Sequence, residues 1–145
     1  MNRAARLEPL ADYAGKVENE AARRLAACAQ ALSAKEKEVE QLRGYLAEYR
    51  RRAELADAAT DPLRWQNART FLAKLSEVVA AREAELMHAV ELYRLETDRW
   101  RDSHVRAKSL DKIIADAARE VRVETAKREQ RELDERALWQ VLDRG

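Results

Sequence analysis

Steps of alternately three and four residues from Trp65 meet Ala68, Leu72, Leu75, Val79, Arg82, Leu86, Ala89, Tyr93, Glu96, Trp100, Ser103, Ala107, Leu110, Ile114, Ala117 and Val121. Of these seventeen positions only Arg82, Glu96 and Ser103 are not apolar. An apolar repeat near 3.5 residues, sustained this long, is the signature of a left-handed coiled coil. It leaves a narrow seam and no room for a sheet. Beyond Val121 the same phase meets Glu124, Arg128, Arg131 and Glu135, and apolar residues return only at Leu138 and Leu142.

The first third of the chain carries the same signal in two blocks. Leu7, Leu10, Ala14, Val17 and Ala21 share one phase; Leu25, Cys28, Leu32, Lys35, Val39, Leu42, Leu46, Tyr49 and Ala53 share another. The offset between the blocks predicts a stutter near Ala21, which would locally unwind a supercoil. Cys28 lies within the seam and is expected to act there as a small apolar side chain. Three glycines and two prolines in 145 residues leave few helix breakers. Alanine and straight-chain residues dominate, and these lose little entropy in a helix.

One break stands out, LADAATDPLRW at 55–65. Asp61 followed by Pro62 reads as an N-cap and a first helical position, where proline's missing N–H is no loss. Pro9 is expected near the start of the other helix. The expectation is therefore an all-α chain forming a long two-helix antiparallel coiled coil, a helical hairpin. It would be a single coiled-coil domain over 1–145, with helix one at about 4–57, a turn at about 58–61 and helix two at about 62–140. A short connection favours antiparallel neighbours, which sets Tyr49 near Phe71, Leu42 near Val78 and Leu7 near Ile113. Helix one then runs out when helix two reaches about residue 113, so roughly thirty residues of helix two should overhang at the terminal end, including Ile114, Ala117 and Val121.

Several function classes are disfavoured. The chain has 28 basic and 27 acidic residues, a net charge of +1, with the signs interspersed. Such a balance produces little field toward a nucleic-acid backbone. No stretch has the length and apolarity of a membrane span, and MNRAARLEPLADYAGK lacks the apolar core of a secretory signal. With Cys28 as the single cysteine, no internal disulfide can form, which suits a cytoplasmic protein. His88 and His104 have no ligand-spaced partner, and neither a phosphate loop nor a nucleophile elbow occurs, so no catalytic centre, metal or cofactor is expected.

The seam does not absorb every apolar residue. In QLRGYLAEYRRR, Tyr45 falls to its side, and Glu38, Leu42, Tyr45 and Tyr49 form a displaced stripe. Helix two repeats the arrangement, with Phe71, Leu75, Val78 and Arg82. Under antiparallel pairing the two stripes can lie side by side and form an apolar, aromatic patch. Two helices cannot cover such residues, and exposed aromatic patches often mark interfaces. The alternative is that Tyr45 and Phe71 lie over the seam edge with their polar or outer edges in water. Gly44 lies opposite this face and has no evident role.

The sequence from LEPLADYAGKVENEAARRLA, through LRGYLAEYR at 42–50 and FLAKLSEVVAARE at 71–83, to RDSHVRAKSLDKI and EQRELDERA at 129–137 resembles the flagellar export protein family FliJ. The resemblance covers nearly the whole chain. It implies a non-enzymatic stalk similar to the gamma subunit of rotary ATP synthases. Such a stalk inserts its terminal end into a ring of the flagellar type III export ATPase FliI and stimulates it. It also implies binding to the export-gate membrane protein FlhA and to export chaperones, at the inner face of the cytoplasmic membrane. The family's gate-binding surface corresponds to Glu38, Leu42, Tyr45, Tyr49, Phe71, Leu75, Val78 and Arg82. Among these, Glu38, Val78 and Arg82 depart from the family's residue types.

For the ATPase ring the candidates are Arg119, Arg122, Lys127, Arg128 and Arg131. They alternate with Glu120, Glu124, Glu129 and Glu132, a pattern that also describes a solvated helix held by i,i+4 ion pairs. Two alternatives to the flagellar stalk are a general coiled-coil adaptor or chaperone for export cargo, and the equivalent stalk of a virulence injectisome.

Overall fold

A computed structural model describes residues 2–56 and 58–145. The fold is all-α, with two long helices packed together and no strand among the described residues. Helix α1 spans Arg3–Glu54, 52 residues, and α2 spans Pro62–Arg144, 83 residues. The expected end of helix one, at about 57, falls on Asp57 and lies outside the described residues.

Each helix begins on a side-chain cap. The Ala5 amide donates to Asn2 Oδ1 at 2.8 Å, and the Arg64 amide donates to Asp61 Oδ1 at 3.1 Å. These bonds satisfy amides that have no partner inside the helix. Pro62 is the first residue of α2, as its covalent geometry favours. Pro9 lies within α1, close to its start as expected. The Asn2 cap begins the helix upstream, so Pro9 removes one backbone hydrogen bond from the second turn. At the other end of α1 the backbone tightens, with the Ala56 amide donating to the Ala53 carbonyl at 3.1 Å.

The contacts cluster into two units, Met1–Glu20 with Arg101–Gly145, and Ala21–Trp100. In the second unit the helices form an antiparallel hairpin. Cross-helix contacts join Arg24 to Glu96, Lys35 to Glu85, Glu38 to Arg82, Arg43 to Glu83 and Tyr49 to Phe71. From Arg24 to Tyr49 along α1 the partner moves back along α2 from Glu96 to Phe71, with only the Arg43–Glu83 pair out of strict order. Ala21, Val39, Leu46 and Val79 form its buried apolar interior. Glu96 is buried with them, and its carboxylate meets Arg24 at 3.4 Å and Arg99 at 3.0 Å. A buried carboxylate is tolerated when charged donors replace the water it loses. Cys28 is half-buried in the same seam.

In the first unit the N-terminal part of α1 pairs with α2 around Ser103, Ala107 and Ala117, all buried. His104 Nδ1 lies 2.7 Å from Glu18 Oε1. Leu10, expected in the seam, is 55% exposed, while Ala11 and Glu18 lie further inward. The inward positions of α1 in this unit are therefore Leu7, Ala11, Ala14, Val17 and Glu18, so Ala11 and Glu18 join the expected Leu7, Ala14 and Val17 while Leu10 does not. A charged residue can occupy this face because Glu18 has the His104 ring to contact.

The exposed end of α2 also begins later than expected. Ala117 is buried and Ile114 half-buried, whereas every residue from Val121 onward is exposed. Arg3 shares a surface groove with Ala117, Val121 and Arg128, so α1 reaches further along α2 than a start at residue 4 and a Leu7–Ile113 pairing would allow. Ile114 and Ala117 are therefore packed rather than overhanging.

Candidate partner-binding surface

All eight residues of the expected gate-binding surface lie in the Ala21–Trp100 unit. Two direct contacts frame the surface. At one end the Tyr49 and Phe71 rings meet edge to face, with centroids 4.9 Å apart at 67°. At the other, Arg82 Nε lies 3.0 Å from Glu38 Oε1. Since both stripes advance by the same helical steps between these contacts, Leu42, Tyr45, Leu75 and Val78 occupy the space between them.

The exposure pattern divides these residues by depth. Leu42 and Leu75 are half-buried and belong partly to the seam. Tyr45 and Phe71 are 50% and 47% exposed, and Tyr49 and Val78 also present apolar area to water. The aromatic side chains are held where they are. Gln41 Nε2 donates to the Tyr45 hydroxyl at 3.0 Å, and the Arg52 guanidinium lies 5.5 Å from the Tyr49 ring centre. A side chain already positioned loses less freedom when a partner covers it.

The charged end is more built than its sequence suggested. Glu38 and Arg82 belong to a closed ring of alternating charge with Lys35 and Glu85. Lys35 Nζ lies 2.8 Å from Glu85 and 3.7 Å from Glu38, while Arg82 reaches both Glu38 and Glu85 at 3.0 Å. The hydrogen bond from Lys35 holds the Glu85 carboxyl below its usual range, and the same bond raises the Lys35 ammonium. Lys35 and Glu85 were not among the expected site residues. Their signal is present in the sequence as two i,i+3 pairs of opposite charge, but only the cross-helix register joins them.

The basic residues expected at the ATPase ring lie on the exposed part of α2, within the other unit. Arg119 lies 3.9 Å from Asp116. Arg122, Lys127, Arg128 and Arg131 are exposed, with no ion pair to any described residue. The expected i,i+4 ladder is therefore nearly absent from this segment, leaving its cations available. Val123, Leu133, Leu138, Trp139, Val141 and Leu142 expose apolar side chains along the same helix.

A family model described as flagellar FliJ protein matches residues 2–145. The chain belongs to the FliJ family. Membership identifies it as a flagellar export-related protein, in keeping with its two-helix, all-α structure. No curated protein and no solved structure was found to be similar. No helix among the described residues is long and apolar enough to cross a membrane.

Proposed function

We propose that this FliJ-family chain is a non-enzymatic stalk of the flagellar type III export apparatus. It acts from the cytoplasm and attaches peripherally at the inner face of the cytoplasmic membrane by binding the export gate FlhA. The carrying observation is the aromatic surface of Tyr45, Tyr49, Phe71 and Val78, framed by the Tyr49–Phe71 contact and the Glu38–Arg82 pair. A pre-positioned aromatic cluster on a paired-helix scaffold has the composition and rigidity of an interface centre.

The exposed end of α2 would contact the FliI ring and stimulate its ATPase. Arg122, Lys127, Arg128 and Arg131 supply unpaired cations there, and Leu138, Trp139 and Leu142 supply apolar anchors. Escort chaperones would use a separate apolar groove of about 440 Å³ in the first unit, lined in part by Leu10, Tyr13, Val105 and Ile113.

The test separates these contacts. The full chain should stimulate purified FliI and bind the cytoplasmic part of FlhA. Removal of residues 122–145 should abolish most stimulation while leaving FlhA binding intact, because the deleted residues are exposed and do not support the buried interior. Unchanged stimulation by the truncated chain would rule out the proposed ring contact.

A further inference from the structure

The aromatic surface continues past the Tyr49–Phe71 contact. Both residues also line an open groove of about 750 Å³. Its helical walls add Arg52 from α1 and Arg64, Trp65 and Leu72 from α2. All of these lie in the Ala21–Trp100 unit. Of them, only Tyr49 and Phe71 belong to the expected gate-binding surface.

Trp65 and Leu72 are half-buried, so the seam covers their apolar faces only in part. The groove has the size of sites that take small organic groups, about 300–1,000 Å³, and a bulky apolar side chain fits it. Charge adds a second preference. Among the charged residues lining the groove, Arg52 and Arg64 outnumber Asp61, whose Oδ1 is engaged by the Arg64 amide in capping α2. The Arg52 guanidinium lies 5.5 Å from the Tyr49 ring centre and 3.3 Å from Glu48. Arg51 reaches the same carboxylate at 2.6 Å, and its hydrogen bond is the main cause holding that carboxyl below its usual range. Glu48 therefore keeps a close partner if Arg52 turns to another carboxylate. The Arg64 side chain makes no ion pair with a described residue. A guanidinium presents a planar fork of donors that matches a carboxylate.

Building on the gate-binding reading of the aromatic surface, we propose that this groove seats a bulky apolar side chain from an acidic segment of the same partner, whose carboxylates pair with Arg52 and Arg64. Tyr49 and Phe71 belong to both surface and groove, so one partner covers both. The excess of cations repels a basic segment. The concave aromatic walls favour an inserted side chain over a flat contact.

The probe is the cytoplasmic part of FlhA, with its binding to the full chain measured by calorimetry at low and high salt. Affinity should fall as salt rises. Arg52→Glu with Arg64→Glu should weaken binding by roughly tenfold or more and flatten that salt dependence. Arg52→Lys with Arg64→Lys keeps the charge without the planar fork, so it should restore most of the salt dependence and only part of the affinity. Trp65→Ala should weaken binding by roughly five- to tenfold. Both arginines are exposed, so circular dichroism should show their variants melting nearly as the unaltered chain does. Trp65 is half-buried, and if its variant melts lower the arginine variants decide.

Tyr45→Ala separates the groove from the surface, because Tyr45 does not line the groove. Weakened binding by Tyr45→Ala with full binding by the arginine reversal would overturn the acidic segment and leave the gate-binding surface in place. Affinity insensitive to salt, or raised by the arginine reversal, would equally overturn it. Absence of binding by the unaltered chain, or full binding by Tyr45→Ala and the groove variants alike, would overturn the gate-binding surface and this contact with it.

Discussion

Two stretches of this chain expose apolar side chains, and they do so on different terms. Between residues 38 and 49 of α1 and 71 and 82 of α2, each exposed aromatic sits beside a buried seam formed with the facing helix. From Val121 to Arg144, α2 has no buried residue. In the first stretch the scaffold is stabilised by packing and the exposed surface is already ordered. In the second, the helix draws little stability from tertiary contact, and a partner would have to supply it. The same residue types can therefore serve as a fixed docking face or as an exposed helix that gains its packing from a partner.

The largest break in this comparison should come from matched leucines. Leu46 is buried between the helices, whereas Leu142 is exposed. Leu46→Ala should destabilise the folded chain by about 2–3 kcal/mol, the low end for a buried leucine because a two-helix site can partly collapse. Leu142→Ala should stay within about 0.5 kcal/mol. Urea unfolding followed by circular dichroism measures both. Equal destabilisation would show that the α2 end packs against something this structure does not contain.

A smaller effect sharpens the contrast between scaffold and surface. Tyr45→Ala should cost about 1–2 kcal/mol of binding to the FlhA cytoplasmic region, or five- to thirtyfold in affinity. It should leave melting nearly unchanged, since half the side chain is exposed and alanine favours helix more than tyrosine does. If calorimetry finds binding intact and melting lowered, Tyr45 belongs to the core rather than to an interface.

Gly44 offers a third comparison on the same helix. A Cβ placed there would meet no atom within 4 Å, so neither close packing nor backbone conformation requires glycine. Gly44→Ala should stabilise the fold by roughly 1 kcal/mol through helix propensity alone. Reduced affinity for FlhA in this variant, despite higher stability, would show that a partner approaches the opposite face.

These outcomes depend on features that differ in how readily the sequence revealed them. The helix start at Asp61–Pro62 was legible because capping and proline geometry act locally. So was the α2 seam, where Arg82, Glu96 and Ser103 keep inward positions despite their polarity. The candidate surface could be placed from the same repeat plus one antiparallel register. The phase near Leu10 was not legible. Leu10 and Ala11 lie on adjacent faces, and side-chain size favoured the leucine, but continuity with Ala21 and the Glu18–His104 contact settled the other face. The Lys35–Glu38–Arg82–Glu85 ring required distances across two helices, which a one-dimensional pattern does not supply.

The smallest expected effect comes from that ring, and its direction is fixed by the two titrating ends. Glu85 has its carboxyl held below the ordinary 4.5, chiefly by the hydrogen bond from Lys35. Its contribution to stability is complete above that unfolded-state value and is lost as pH falls through the lower folded-state value. Lys35 is raised above 10.5 by the same bond, so its contribution is complete below 10.5 and is lost as pH rises through the higher folded-state value. Between these limits the ring is intact. Water screens all four groups, so the change in melting temperature should be slight. Glu85→Gln should melt slightly below the unaltered chain at neutral pH, and the two curves should converge as the solution is acidified well below pH 4.5. Glu124→Gln, on the exposed part of α2 and without an ion pair to a described residue, is the matched control and should follow the unaltered chain throughout. A Glu85→Gln deficit that persists unchanged into strong acid would mean that the glutamate stabilises the hairpin by packing its methylenes. In that case the contrast between the paired stretch and the α2 end would rest on apolar contact alone.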